Sequence, residues 1–219
     1  MYAFNIIEKD QNMNIVFLGD SITDAGKSEN ACVSNAIGQG YAMIISAKLG
    51  KDQPMQHRFV NAGISGDRCV DAFARIKSDC WNHTPDLVSV LLGVNDVWHE
   101  LLFQNGVNAK RFEAVMRMML QDTIEAFPDV KYIFMEPYLL PGEASEGKFE
   151  TFSHEVQLRA KVVKKLAVEF SAPFVPLQEI FDEACKLAPA SYWAWDGVHA
   201  TPAGHQLIAE AWLRAFEML

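Results

Sequence analysis

Short apolar runs alternate along this 219-residue chain with segments of helical period, and no other feature restricts the fold as much. The runs lie at 15–18, 59–60, 87–92, 132–135 and 174–175. In 108–127, Phe112, Val115, Met116, Met119, Leu120, Ile124 and Phe127 share one helical face, and Arg111, Glu113, Arg117, Asp122 and Glu125 cover the other. Val156, Val163, Leu166, Ala167 and Phe170 repeat that pattern in 153–170. A last helix is expected to open at Thr201 as N-cap, with Pro202 at its first position and Leu207, Ile208, Ala211, Ala215 and Phe216 facing the core. Strand alternating with helix implies an α/β fold of parallel strands covered by helices on both faces. The continuous apolar run LVSVLL fits a strand buried on both sides. Half of the residues are hydrophobic, enough for one core, so a single domain over 1–219 is expected.

Charge and composition exclude several functions. Nineteen basic against 28 acidic residues leave a net charge of −9, which repels phosphate backbones, so nucleic acid is not an expected partner. No apolar stretch reaches membrane-helix length, and MYAFNIIEKDQNMN carries charges where a signal peptide needs an apolar region; a cytoplasmic protein away from membranes is expected. Cys32, Cys69, Cys80 and Cys185 form no CxxC pair, so they read as reduced thiols rather than a metal site. The segment 136–150, rich in Gly and Glu, is expected to be an exposed loop, a rim or a lid.

In an open parallel sheet, ligands bind beyond the carboxyl ends of the strands. The first run is followed by Gly19-Asp20-Ser21, the second by NAGISGD, the third by GVND and the fourth by Glu136-Pro137-Tyr138; WDGVH stands just before the last helix. Singly, Ser21 could cap a helix, Gly63 could serve a turn, Asn95 could form an Asx-turn and His199 could be an ordinary histidine. Jointly they supply the parts of acyl transfer. A serine hydroxyl needs an imidazole to take its proton, and the imidazole needs an acceptor at its other nitrogen. Asp196 and His199 can meet across one turn. The Ser21 and Gly63 N–H groups and the Asn95 amide are natural donors to an oxyanion, with Gly63 leaving room for a substrate to approach the backbone.

GDSIT, NAGISGD, GVND and DGVH, in that order, resemble the four signature blocks of the GDSL/SGNH hydrolases, with Ile22 where the name-giving motif has Leu. The resemblance implies a three-layer, flavodoxin-like α/β/α sandwich around about five parallel strands. It implies a Ser21–His199–Asp196 triad, an oxyanion hole of Ser21, Gly63 and Asn95, and neither metal nor organic cofactor. FLGDSITDAGK, GVNDVW and AWDGVHATPAGH are similar to the bacterial intracellular acetylxylan esterases in particular. That likeness implies a small acetylated carbohydrate as substrate and hints at a homo-oligomer. Trp98, Trp193 and Trp195 flank the blocks; Asp20, Trp98 and Trp195 are taken as candidate substrate contacts, with Trp195 in the acyl pocket. His99 and Glu100 could touch the alcohol, Arg68 could reach substrate or pair with Asp67, and Glu136 could hold backbone amides. A lysophospholipase or thioesterase, and a non-catalytic binding domain on the same scaffold, are the alternatives.

Overall fold

The computed structural model describes residues 12–28 and 35–219; Cys32 and the segment before residue 12 lie outside them. In chain order the elements are β1 (Met13–Gly19), α1 (Ser21–Asp24), α2 (Tyr41–Asp52), β2 (His57–Gly63), α3 (Cys69–Ala74), α4 (Ile76–Asp79), β3 (Leu87–Leu91) and α5 (Val94–Phe103). They continue as α6 (Ala109–Ala126), β4 (Lys131–Met135), α7 (Phe149–Glu169), β5 (Phe174–Val175), α8 (Leu177–Ala184), α9 (Ala190–Trp193) and α10 (Pro202–Phe216). All five expected strands form. β1 and β2 run beyond their apolar runs by one to three residues at either end, because the sheet ladder carries polar Asn14, Arg58 and Asn61 as readily as the apolar residues between them.

The strands pair in parallel in the order β2-β1-β3-β4-β5, with Gly19 opposite Gly63 and Gly19 also opposite Leu91. Side chains alternate across the sheet. Ile15, Phe17, Leu87, Leu91, Ile133 and Met135 enter one core with α2, α8 and α10. Val16, Leu18, Val88, Val90, Tyr132 and Phe134 enter the other with α3, α6 and the C-terminal part of α7. This is the three-layer sandwich of the sequence reading, and its strand order is the flavodoxin-like one. Trp212 of α10 is fully buried and donates to Ser89 Oγ (2.9 Å), satisfying the hydroxyl inside β3. Thr201 caps α10 as expected, accepting the Gly204 N–H (3.3 Å). Among the described residues, Cys69, Cys80 and Cys185 are free thiols and no helix is long and apolar enough to cross a membrane.

The order 2-1-3 reverses direction between β1 and β3, so the loops after these strands and after β2 open together at one sheet edge. Gly63 ends β2, Ser21 opens α1 just after β1 and Asn95 lies in the first turn of α5 just after β3, all at that edge.

Candidate active site

Ser21 occupies the first position of α1, immediately beyond β1. Asp20 turns the chain there: its Oδ1 accepts the Ile22 N–H (3.0 Å) and its carbonyl accepts the Asp24 N–H (2.8 Å). That capping role points the Asp20 side chain inward, where it is 1% exposed and Oδ2 has no hydrogen-bond partner among the described residues. Asp20 is therefore not the substrate contact expected from sequence. Burial pushes its carboxyl up to about 7, against the lowering pull of the Ile22 N–H and of His199.

Asp196 and His199 sit in a small closed loop. An antiparallel bridge joins Ala194 to Ala200, and the Trp195 N–H donates to the His199 carbonyl (3.0 Å). Gly197 has φ +95°, and a Cβ there would lie 2.3 Å from the Leu140 carbonyl oxygen, so the turn admits only glycine. Asp196 Oδ1 accepts two backbone N–H groups, from Val198 (2.9 Å) and His199 (2.8 Å), which leaves Oδ2 to accept His199 Nδ1–H (2.7 Å). With Nδ1 carrying the proton, Nε2 is an acceptor and faces Ser21 Oγ at 2.9 Å. Burial alone would raise Asp196; the hydrogen bonds from His199 and the two N–H groups outweigh it and hold the carboxyl below its usual range. The bond to Asp196 raises His199 against the opposing effect of burial, helped by the Asp196 and Asp20 charges.

The segment 136–150 divides in two: from 141 onward it is largely exposed, as expected, with Pro141, Glu143, Glu146 and Gly147 facing solvent, but its beginning is buried. Tyr138, Leu139 and Leu140 are buried, and they buttress the Asp196–His199 loop. Tyr138 Oη donates to the Val198 carbonyl (2.7 Å), the Leu140 N–H to Gly197 O (2.8 Å) and the Ala144 N–H to Asp196 O (3.0 Å). The apolar triplet Tyr-Leu-Leu sets the buried beginning of the segment, and the Gly and Glu residues after it set the exposed remainder. Glu136 does hold a backbone amide, that of Gln178 (3.0 Å).

The two remaining signature residues, Gly63 and Asn95, sit in a bonded frame around the strand ends. A Cβ on Gly63 would lie 2.3 Å from the Asp24 backbone nitrogen, so glycine is needed for packing against α1. The Gly63 N–H donates to Asn61 Oδ1 (2.9 Å), so a ligand oxygen must compete with Asn61 for it. Asn95 Nδ2 donates one hydrogen to the Asp67 carbonyl (3.2 Å) and keeps its second. Arg75, which sequence reasoning passed over, ties the frame together: it donates to Asp67 (2.6 Å), Ala62 O (2.8 Å), Asp79 (2.9 Å) and Gly19 O (3.2 Å). Arg68 does not pair with Asp67; its guanidinium lies on Asp71 (2.8 Å) and the Asn105 carbonyl (2.6 Å), because the capping geometry of α3 turns it there.

Beside Ser21 opens a cavity of about 390 Å³, lined by Ile22, Gln39, Ser65, Trp195, His199 and His205 among others. Two indoles approach the His199 ring. Trp195 is 59% exposed and stacks on the imidazole (5.6 Å between centroids, 15° between planes); Trp98 approaches at 5.9 Å while packing on Phe152. Trp193 is instead packed against the core and donates to the Ala188 carbonyl (3.3 Å). His99 packs edge-on against Phe103, and Glu100 accepts the Gly106 N–H (2.9 Å). Among the described residues no group of three or more His, Cys, Asp or Glu is placed to hold a metal ion.

Comparison with known proteins converges on one family. The GDSL-like Lipase/Acylhydrolase family matches residues 17–207. An acetylxylan esterase of Geobacillus stearothermophilus is 34% identical over 208 residues, covering 91% of this chain and 92% of that one. The thioesterase 1/protease 1/lysophospholipase L1 of Escherichia coli K12 is 30% identical over 186 residues, 81% of this chain and 78% of that one. Among solved structures, a catalytic mutant of the Geobacillus acetylxylan esterase Axe2 superposes with a TM-score of 0.83 at 32% identity, over 95% of this chain and 96% of that one.

Proposed function

The chain belongs to the GDSL-like lipase/acylhydrolase family of carboxylic ester hydrolases, and from that premise we propose that Ser21, His199 and Asp196 carry out the hydrolysis and that its substrate is an acetylated carbohydrate. One observation carries the catalytic reading: the unbroken hydrogen-bond line from Ser21 Oγ through His199 to an Asp196 already anchored by two N–H groups. Ser21 Oγ attacks the ester carbonyl carbon as its proton passes to His199 Nε2. The carbonyl oxygen becomes an oxyanion held by the Ser21 N–H, by the free hydrogen of Asn95 Nδ2 and by the Gly63 N–H taken over from Asn61. The C–O bond to the alcohol breaks, the alcohol leaves with the proton from His199, and an acetyl-Ser21 remains. Water then adds to that acyl group, gives its proton to His199, and acetate departs as Ser21 regains a proton.

Solved mutants of Axe2 described as catalytic alter a serine, an aspartate and a histidine, the last two three positions apart, the spacing of Asp196 and His199. The sugar assignment draws on the acetylxylan esterase likeness and on the exposed face of Trp195, an apolar plane suited to the C–H face of a sugar ring. A cytoplasmic site of action goes with it. The Escherichia coli relative, a thioesterase and lysophospholipase by name, favours lipid esters as the second reading. Acetate release from acetylated xylo-oligosaccharides, set beside p-nitrophenyl esters of increasing chain length, separates the two. Release of acetate from the oligosaccharides with the fastest aryl ester being acetyl supports the sugar reading; rates that climb from acetyl to octanoyl with no acetate from the sugar overturn it.

A further inference from the structure

His205 lies in the first turn of α10 and lines the same cavity as Ser21 and His199, yet the chemistry above makes no use of it. Its Nδ1 accepts the Tyr41 N–H at the start of α2 (3.2 Å), and its ring stacks on Tyr41 (6.3 Å between centroids, 29° between planes). Since Nδ1 is an acceptor, the neutral ring carries its proton on Nε2. Nε2 has no protein partner among the described residues, and it is not one of the sealed polar atoms left without one, so it opens on the cavity. The residue is 8% exposed. Burial, with His199 adding to it, lowers the imidazole to about 4, so the ring stays neutral where the enzyme works. A fixed, neutral N–H donor with no acceptor thus stands in the wall of the reaction pocket.

An acetyl ester offers one strong acceptor on its acyl side, the carbonyl oxygen, and the oxyanion donors take it. Any other oxygen must come from the alcohol. We infer that His205 Nε2–H is a specificity determinant that donates to a hydroxyl of the alcohol being released, so that the pocket selects hydroxylated acetates over hydrocarbon ones. Against a hydrocarbon the N–H gives up its solvation and gains no acceptor in return, which penalises that substrate. The Trp195 ring and Ile22 supply the apolar wall, and His205 the directional contact that an apolar wall lacks. This inference rests on the proposed deacetylation of carbohydrates and assigns a residue to its selectivity.

The two nitrogens of His205 have separate duties, and that makes the test specific. His205→Asn retains an acceptor near the Nδ1 position for the Tyr41 N–H and removes the Nε2 donor. His205→Gln places an amide N–H near Nε2 and gives up the cap on α2. The readout is the ratio of kcat/KM for a methyl xyloside monoacetate to that for cyclohexyl acetate, a ring of the same size without hydroxyls. For His205→Asn the ratio is expected to fall about tenfold, the scale of one lost hydrogen bond, with the change in the xyloside KM; His205→Gln is expected to recover most of it although its Tm drops. A ratio unchanged in His205→Asn, or one that falls equally in both variants in step with Tm, would make His205 a cap on α2 and overturn the inference alone. A wild-type enzyme that cleaves p-nitrophenyl acetate and cyclohexyl acetate but not the xyloside overturns the carbohydrate reading as well.

Discussion

Asp196→Asn tests the wiring of the proposed triad with almost no change in shape. Asp196 Oδ1 accepts the N–H groups of Val198 and His199 at 2.9 and 2.8 Å, and that position must remain an oxygen. The asparagine NH2 is therefore forced onto the Oδ2 side, 2.7 Å from His199 Nδ1. A donor there requires Nδ1 to be unprotonated, which moves the ring proton to Nε2 and points it at Ser21 Oγ. The base then faces the nucleophile with its proton already on. In the serine-protease triad the same exchange of aspartate for asparagine lowers kcat by about 10⁴ for this reason, and a loss on the order of 10³ to 10⁴, or about 4–5.5 kcal/mol of barrier, is expected here. Stability should change far less, by about 1–3 kcal/mol, because one charge-assisted hydrogen bond weakens while both backbone bonds persist. Steady-state hydrolysis of p-nitrophenyl acetate from pH 6 to 10, with thermal unfolding alongside, measures both. A folded Asp196→Asn enzyme within tenfold of wild type would refute the tautomer argument and remove Asp196 from the mechanism.

The same loop should make activity and stability respond to pH in opposite directions. His199 is raised above 6.5 by Asp196, so kcat/KM should rise with pH through that raised value, while the stabilisation from the protonated ring, complete below 6.5, is lost over the same interval; a flat rate–pH profile between 5 and 9 would contradict the role of His199. Asp20 should act on stability with its own sign. Its folded value near 7 against 3.8 means that the unfolded chain sheds the proton first, so stability falls as pH rises from about 4 to about 7, by up to about 4 kcal/mol. Asp20→Asn keeps the cap and cannot ionise, so its Tm relative to wild type should climb between pH 5 and pH 8; a constant difference would show that Asp20 is charged in the fold. Arg75→Met removes the clamp on the carbonyls of Gly19 and Ala62 and on Asp67, and should cost about 3–5 kcal/mol of stability by leaving Asp67 without its main partner. Tyr138→Phe should cost about 1–3 kcal/mol, since it orphans the buried Val198 carbonyl behind the triad, and urea unfolding would measure it.

Residues that act near their own place in the chain were legible in the sequence; those whose partners the fold chooses were not. The strand ends marked Ser21, Gly63 and Asn95 as candidates because a parallel sheet collects its strand-end segments at one edge. Asp196 and His199 announced each other through a three-residue spacing that a turn can close. Asp20 misled because adjacency to Ser21 says nothing about side-chain direction, and a cap must point into the chain. The exposed part of 136–150 was legible from its Gly and Glu residues, but the burial of Tyr138, Leu139 and Leu140 was not, because it depends on the loop they support. Which arginine meets Asp67 is decided by helix position: α3 sends Arg68 to Asp71 and brings Arg75 back over the strand ends. His205 gave no local signal at all; only the docking of α10 against α2 puts its ring in the pocket.

The proposed hydrolysis turns on a Ser21 hydroxyl made nucleophilic by His199, and covalent capture reads that directly. A fluorophosphonate incubated with folded protein and mapped by peptide mass spectrometry should form one adduct, on Ser21, and none on a folded Ser21→Ala variant. Labelling of another residue at comparable rate, or an unlabelled Ser21 in a folded protein that still hydrolyses esters, would contradict it.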